Sequence, residues 1–407
     1  MPKLKEASLD DVCLLVTDGT HDTPKRVNDG FPLIKAKEIV GGKIDFEACD
    51  QISEEEHLRV IARSKPEYGD TLFAHIGASL GEAAFIKTHR PFSIKNIALF
   101  KPNLSIIDER YLYYLVISPA FQRLAKQTKT GSAQPFLSLG HLRSHRITYN
   151  EALNEQRKIA SILSTYDDLI ENNLRRIKIL EEMAQTLYRE WFVKFRFPGH
   201  EKVRMVDSPL GKIPEGWAFL TLGEVTVNFD RLRKPLSKMQ RAKKQGPFPY
   251  FGAARIFDYI DDYIFDGVYL LLAEDGSVVT ADRRPVLQYV SGRFWANNHT
   301  HILKGKDKVS TEYLYLTLSD LDISGYITGA AQPKITQTNL NRIPVLVGPK
   351  TVMASFDEII SGLFKHRVVL QKSNKNLRQT RDLLLPRLIS GELDVSELEI
   401  HIPEEVA

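Results

Sequence analysis

The chain has 407 residues, 43% hydrophobic and 26% charged, the make-up of an ordinary globular protein but too long for a single domain. No run of about 18 apolar residues is present, which excludes a membrane-spanning helix. The opening Met1-Pro2-Lys3-Leu4-Lys5-Glu6 runs into Asp10 and Asp11 without the apolar core of a signal peptide. Two cysteines, Cys13 and Cys49, cannot build a disulfide framework or a four-cysteine zinc site, and they fit a reducing cytoplasm. The net charge of +4 hides a more basic body. Six acidic residues beyond Gly391, with no Lys or Arg among them, leave the preceding chain at +10. Such a body suits a polyanionic partner.

In chain order, the stretches 1–150 and 198–350 read as mixed α/β. Short β-like runs such as Thr71-Leu72-Phe73-Ala74, Ile97-Ala98-Leu99-Phe100 and Gly267-Val268-Tyr269-Leu270-Leu271-Leu272 lie between turn-forming Gly, Asp and Asn. The two stretches are copies of one unit. Gly131-Ser132-Ala133-Gln134-Pro135 returns as Gly329-Ala330-Ala331-Gln332-Pro333, and Tyr111-Leu112-Tyr113 as Tyr313-Leu314-Tyr315. Leu9-Asp10-Asp11-Val12 is echoed by Leu222-Gly223-Glu224-Val225. Three matches in the same order, at about half the chain length, mark an internal duplication.

Each copy leads into a long heptad seam. The first runs Ile159, Leu163, Tyr166, Ile170, Asn173, Ile177, Leu180, Ala184, Leu187, Trp191. The second runs Phe356, Ile360, Leu363, Arg367, Leu370, Asn374, Leu377, Arg381, Leu384, Leu388. Spacing by four and three over nearly five heptads predicts a coiled coil, either between the two helices or with other chains. An antiparallel pairing with Ile159 beside Leu388 and Trp191 beside Phe356 puts Asn173 opposite Asn374. Pro198-Gly199 is expected to close the first helix, and Pro386 with Gly391 the second. The expected division is therefore 1–150, 151–197, 198–350, 351–393 and an acidic tail, 394–407.

Motifs for catalysis are absent from the sequence. There is no phosphate-binding glycine loop, no Asn-Pro-Pro-Tyr or Asp-Pro-Pro-Tyr, no carboxylate followed two positions later by Lys, and no His-Glu-x-x-His or Cys-x-x-Cys. Asp167-Asp168 and Asp261-Asp262 read as solvated pairs, since adjacent residues do not face one another. Polar clusters suited to nucleic acid are present instead. The loop Thr17–Lys25 carries Thr20, His21 and Lys25, and reads equally as a turn. Arg231, Arg233, Lys234, Lys238, Arg241, Lys243 and Lys244 form either a phosphate-binding surface or a solvated loop. Fork and amide side chains able to read bases are Arg90, Lys95, Asn96, Gln134 and Arg143 in the first copy. In the second they are Arg283, Arg284, Arg293, Asn297, Asn298, Gln332 and Lys334. Gln134 and Gln332 occupy matching positions, so a loop-holding role is the alternative. His75 and His299 read as structural.

These strings resemble the DNA-specificity subunit of type I restriction–modification systems. The resemblance rests on Asp18-Gly19-Thr20-His21 with Thr23-Pro24, Asp167-Asp168-Leu169-Ile170-Glu171-Asn172-Asn173 and Leu187-Tyr188-Arg189-Glu190-Trp191-Phe192. It continues through Phe197-Pro198-Gly199-His200-Glu201, Leu210-Gly211-Lys212-Ile213-Pro214-Glu215-Gly216-Trp217 and Leu385-Pro386-Arg387-Leu388-Ile389-Ser390-Gly391-Glu392-Leu393. It implies an α+β fold with two target-recognition domains, each followed by a helix, the helices pairing antiparallel as a spacer. It also implies a non-catalytic, cytoplasmic chain that reads an asymmetric, bipartite, gapped site on double-stranded DNA. The implied partners are two methyltransferase subunits carrying S-adenosylmethionine and restriction subunits using ATP and Mg. The chain itself would hold no cofactor and touch no membrane. About 37 helical residues extend roughly 55 Å, or about 16 base pairs of duplex. Arg367 and Arg381 depart from an apolar seam, and are expected to snorkel outward or to meet acidic residues of a methyltransferase subunit. Two readings from other classes remain: a single-chain DNA-modifying or cleaving enzyme with an unrecognised site, and a coiled-coil adaptor without sequence reading.

Overall fold

The structure is a computed structural model that describes residues 3–129, 135–329 and 332–400. The chain divides into two compact units, residues 1–172 with 374–407, and residues 173–373. Both long helices run from one unit into the other: Leu153–Tyr188, extended by a π-helical turn at Arg189–Val193, and Lys350–Ile389.

In the first unit, strand Leu4–Ser8 pairs antiparallel with Arg146–Asn150, Leu4 opposite Asn150. A single helical turn, Leu9–Val12, follows, closed by a capping box in which the Ser8 side chain accepts from the Asp11 amide. The chain then enters a four-stranded antiparallel sheet in the order Cys13–Asp18, Ala98–Pro102, Thr71–Phe73, Ala83–Phe85. Thr71, Leu72 and Phe73 are all buried, as the unbroken apolar run requires of a strand covered on both faces. A second four-stranded sheet has the order Ser93–Lys95, Phe31–Lys35, Asp50–Ile52, Arg26–Val27.

The second unit repeats this entry. Strand Ala218–Thr221 pairs antiparallel with Pro344–Val347, and the turn Leu222–Val225 carries a Thr221–Glu224 capping box. Its sheet has six strands, ordered Thr226–Asn228, Thr300–Gly305, Phe265–Ala273, Leu287–Ala296, Gln245–Phe251, Ile256–Ile260. The repeated Tyr-Leu-Tyr strings lie on equivalent helices, Glu109–Ile117 capped by Asp108 and Thr311–Ser319 capped by Ser310. In each, the first tyrosine is buried and ties the helix to the closing strand. The Tyr111 hydroxyl accepts from the Asn150 amide at 3.1 Å, and the Tyr313 hydroxyl donates to the Leu346 carbonyl.

The helices run antiparallel within each unit. Ile159 and Leu163 share the first core with Leu385, Leu388 and Ile389. In the second core Trp191 meets Phe356 at 5.6 Å between ring centroids, and Phe192 meets it at 4.8 Å. All twenty seam positions named above are buried or half-buried, among them Leu180, Leu187, Leu363, Leu377 and Leu384 at the half-buried level. Asn173 and Asn374 are both buried, and Asn374 Nδ2 donates to the Ile170 carbonyl at 3.4 Å.

Three expectations require correction. The seam arginines do not await another chain, because both meet carboxylates of the first helix. Arg367 Nε lies 2.7 Å from Glu181 Oε1, its guanidinium among the rings of Tyr289, Tyr315 and Phe364 at 5.4–5.7 Å. Arg381 lies 2.5 Å from Asp167 Oδ1. Asp167 is accordingly not solvated, and also accepts from the Tyr114 hydroxyl at 2.7 Å. Asp168, one position on, is exposed and pairs with Lys87 at 2.9 Å. Lastly, Pro386 does not stop the second helix, which continues to Ile389 before Gly391 adopts φ +73°. Proline lacks an amide donor, and the loss is tolerated this close to a helix end. Part of the acidic segment is also folded: Val395 is buried, and Lys158 Nζ donates to its carbonyl and to that of Ser396.

Phe356→Ala should cost about 3–5 kcal/mol of stability through the cavity it leaves. Leu383→Ala, at a side chain 71% exposed, should stay within about 0.5 kcal/mol. Urea unfolding of the full chain checks both.

Candidate nucleic-acid interface

In both units the central sheet strand ends in a loop on which the repeated Gln-Pro segment docks. The Leu137 amide donates to the His75 carbonyl at 2.9 Å, and the Gly77 amide to the Pro135 carbonyl at 2.9 Å. The second unit repeats the pattern: the Ile335 amide donates to the Glu274 carbonyl at 2.9 Å, and the Gly276 amide to the Pro333 carbonyl at 3.2 Å. Gly77 and Gly276 have φ of +77° and +73°, a conformation that only glycine adopts without strain. Residues 135–137 and 333–335 are therefore docking segments, and Gln332 and Lys334 are exposed on the second. Gln134 lies outside the described residues.

Beside this frame in the first unit stand four of the residues singled out by sequence. Thr20 bridges Lys95, and the Asn96 amide donates to the Thr20 carbonyl at 3.2 Å. His21 Nδ1 donates to Asn96 Oδ1 at 2.8 Å, and its Nε2 faces Asp18 Oδ2 at 3.0 Å. Lys95 Nζ donates to Thr23 Oγ1. The loop can lie this close because residue 19 is glycine: a Cβ there would sit 2.0 Å from the Ile94 carbonyl oxygen. Asp18 is buried and also holds Arg63. Lys25 is exposed farther along the loop. Arg90 stands apart from this group, over the Phe46 ring. Arg143 is committed to structure, both Nε and Nη2 donating to the Val16 carbonyl at 2.9 and 2.7 Å.

The second unit gathers Arg233, Asn297, Asn298 and Lys334 around a buried ionic network. Arg233 Nη1 lies 2.6 Å from Glu274 Oε2, and Lys334 Nζ lies 3.1 Å from Glu274 Oε1. His301 Nδ1 lies 2.5 Å from Asp230 Oδ2, and its Nε2 lies 2.9 Å from the Ile335 carbonyl oxygen. Asp230 Oδ1 accepts from the Ile302 amide. Among the described residues Asp230, Glu274 and His301 lie close enough to share an ion. Their ligand atoms are committed to one another, to Arg233 and to Lys334, so the group reads as a brace. Arg233 and Asn297 thus hold the loop from within, Asn297 accepting from the His299 amide at 2.9 Å, while Asn298 is exposed. His299 is half exposed and donates to Asp275 at 2.8 Å, and buried His75 donates to the Leu137 carbonyl.

The basic stretch 231–244 is divided in its duties. Arg241 packs over Tyr250 and pairs with Asp258 at 3.1 Å, and Lys244 pairs with Asp261 at 3.2 Å. Arg231, Lys234, Lys238 and Lys243 are exposed, with no carboxylate partner among the described residues. Three arginines stand apart from the loop frame: Arg283 and Arg284 face Asp322 and Asp320, and Arg293 faces Asp266. Arg63, Asp230, Glu274 and His301 escaped sequence reasoning, and Asp18 was legible only as part of its loop. An Asp shortly after the first turn of each repeat was the one available signal.

Burial alone would raise the Asp230 and Glu274 carboxyls. For Asp230, the hydrogen bond and charge of His301 outweigh burial; for Glu274, Arg233 and Lys334 do, so both are held below the usual carboxylate range. A depressed carboxyl contributes stability that is complete above its unfolded value and lost as pH falls through the folded one. The second unit should therefore lose stability below about pH 4–5. Glu274→Gln should flatten that slope in a pH series of thermal unfolding.

Comparison with known proteins follows the same lines. The family model described as Type I restriction modification DNA specificity domain matches residues 2–182 and 214–356, most of the chain. The chain is 26% identical over 317 residues to the type I restriction enzyme MjaIX specificity subunit of Methanocaldococcus jannaschii, covering 73% of this chain and 72% of that one. It is 22% identical over 419 residues to the HindI specificity subunit of Haemophilus influenzae, covering 84% and 90%. Its fold is similar to the crystal structure of the type I restriction–modification S subunit from M. genitalium, with a TM-score of 0.60 and 16% identity over 95% of this chain and 96% of that one.

Proposed function

Because this chain belongs to the family of type I restriction–modification DNA-specificity subunits, we propose that it reads an asymmetric, bipartite DNA site, one half with each unit. The observation that carries this reading is the duplicated loop frame. One backbone arrangement, the Gln-Pro segment docked on the strand-exit loop, presents different side chains in the two units. Thr20, His21, Lys25, Lys95 and Asn96 supply base-edge and phosphate donors in the first. Asn298, Gln332 and Lys334 supply them in the second, with Arg231, Lys234, Lys238 and Lys243 on the backbone. Different side chains on one frame favour two different half-sites.

Methyltransferase subunits dock along the paired helices and carry the S-adenosylmethionine; restriction subunits supply the ATP- and Mg-dependent step. Large apolar side chains left exposed on these helices support a docking role. They include Leu169 and Leu383 in the first unit, and Ile179, Met183, Ile359 and Val369 in the second. No helix is long and apolar enough to cross a membrane among the described residues. A cytoplasmic complex of this chain, two methyltransferase subunits and restriction subunits is the assembly proposed.

Deleting the gene should erase one gapped adenine-methylation motif from the host genome, read by single-molecule methylation sequencing. An unchanged methylome in a host with an expressed methyltransferase would overturn the reading. In the assembled complex, replacing Arg231, Lys234 and Lys243 together by Gln should lower the slope of log K against log salt by about 3. The recognised sequence should not change.

A further inference from the structure

Apart from its loop frame, the first unit holds a cavity of about 490 Å³ between the end of helix Glu54–Ser64 and the 88–92 loop. That volume is in the range of small-molecule sites. One wall is a planar stack, Tyr68 on His89, with centroids 5.0 Å apart and planes within 14°. Ile61 and Phe92 add apolar surface. Arg90 brings positive charge, and its guanidinium, over Phe46, has no carboxylate partner among the described residues. Glu67, the one acidic residue of the lining, is neutralised by Lys65 at 2.6 Å and Lys101 at 3.0 Å.

The decisive feature is His57, which lines the cavity although only 4% exposed. Its ring stacks on Phe31 at 4.1 Å, and its Nδ1 is bonded to Ser93 Oγ at 2.9 Å. Its Nε2 has no protein partner among the described residues. Burial pushes this imidazole below its ordinary range, so near neutral pH it offers one polar contact without a charge. The atom is open to the cavity, where a ligand or water can reach it. A flat stack, one hydrogen-bonding atom and one cation match a planar heterocycle carrying an anion.

We propose that this cavity binds a nucleotide. The base lies against the Tyr68–His89 stack, with its edge toward His57 Nε2 and its phosphate toward Arg90. The same chemistry is offered by a free nucleotide and by a nucleotide swung out of a DNA strand. The site is independent of the sequence-reading role of the loops.

Isothermal titration of the full chain with dAMP, inorganic phosphate and a short single-stranded oligonucleotide tests it. The comparison variant is His89→Ala with Arg90→Gln; both side chains are exposed, so the thermal unfolding temperature should be unchanged. Saturable dAMP binding that weakens about tenfold or more in the variant supports a free nucleotide. Oligonucleotide binding with the same loss, and none for dAMP, supports a strand-borne one. Three results overturn the proposal: no binding of either in the millimolar range, equal binding by the variant, or phosphate binding as tightly as dAMP.

Discussion

The first unit is assembled from two separated stretches of chain, and both units close their cores with the long helices. Each needs one end of both long helices: Ile159 and Leu163 against Leu385 and Leu388 in the first, Trp191 and Phe192 against Met353 and Phe356 in the second. Burying these side chains removes large apolar surfaces from water, the dominant favourable term in folding. The helices are therefore walls of the recognition units as much as connectors between them. This dependence also explains the charged residues within the seam. Arg367 against Glu181 and Arg381 against Asp167 would be costly if either partner shifted, because a buried charge would lose its mate. Such pairs penalise displaced registers more than they stabilise the correct one.

On that scaffold the two units share a backbone and differ in side chains. The closing strand, the capped helical turn and the docked proline segment recur, and a buried tyrosine holds the closing strand in each unit, by accepting in the first and donating in the second. These contacts are mainly backbone to backbone, and so indifferent to most side-chain changes nearby. The loops beside them are braced by different means. In the first unit a half-exposed His21 links Asp18 to Asn96, whereas in the second a buried His301 links Asp230 to the Ile335 carbonyl. A fixed frame with exchangeable tips is the arrangement in which recognition changes without cost to the fold.

Counting basic residues overstated the surface available to a polyanion. Arg143, Arg233 and Arg241 have the forked guanidinium suited to bases and phosphates, and that same fork suits backbone carbonyls and carboxylates of their own unit. Their near neighbours Arg231, Lys234 and Lys243 are exposed, with no ion-pair partner among the described residues. Sequence shows that a charge exists; its partner depends on which distant strand arrives beside it. Glu274 and Asn298 reach Arg233 from more than forty residues away.

Periodicity and repetition were enough to determine the duplication, the two heptad seams and the mixed α/β character of each unit, while leaving the pairing of the seams with each other open. Those features follow from regular spacing of apolar side chains, which a linear sequence displays directly. The family was legible too, because its strings span the whole length. Tertiary structure alone decided that the seam arginines turn to Asp167 and Glu181, that Asp167 is half-buried, and that Pro386 lies within a helix. It also decided which polar residues of each loop face solvent and which brace it. Each of these depends on a partner far away in sequence, and a partner's position exists only after the chain has folded.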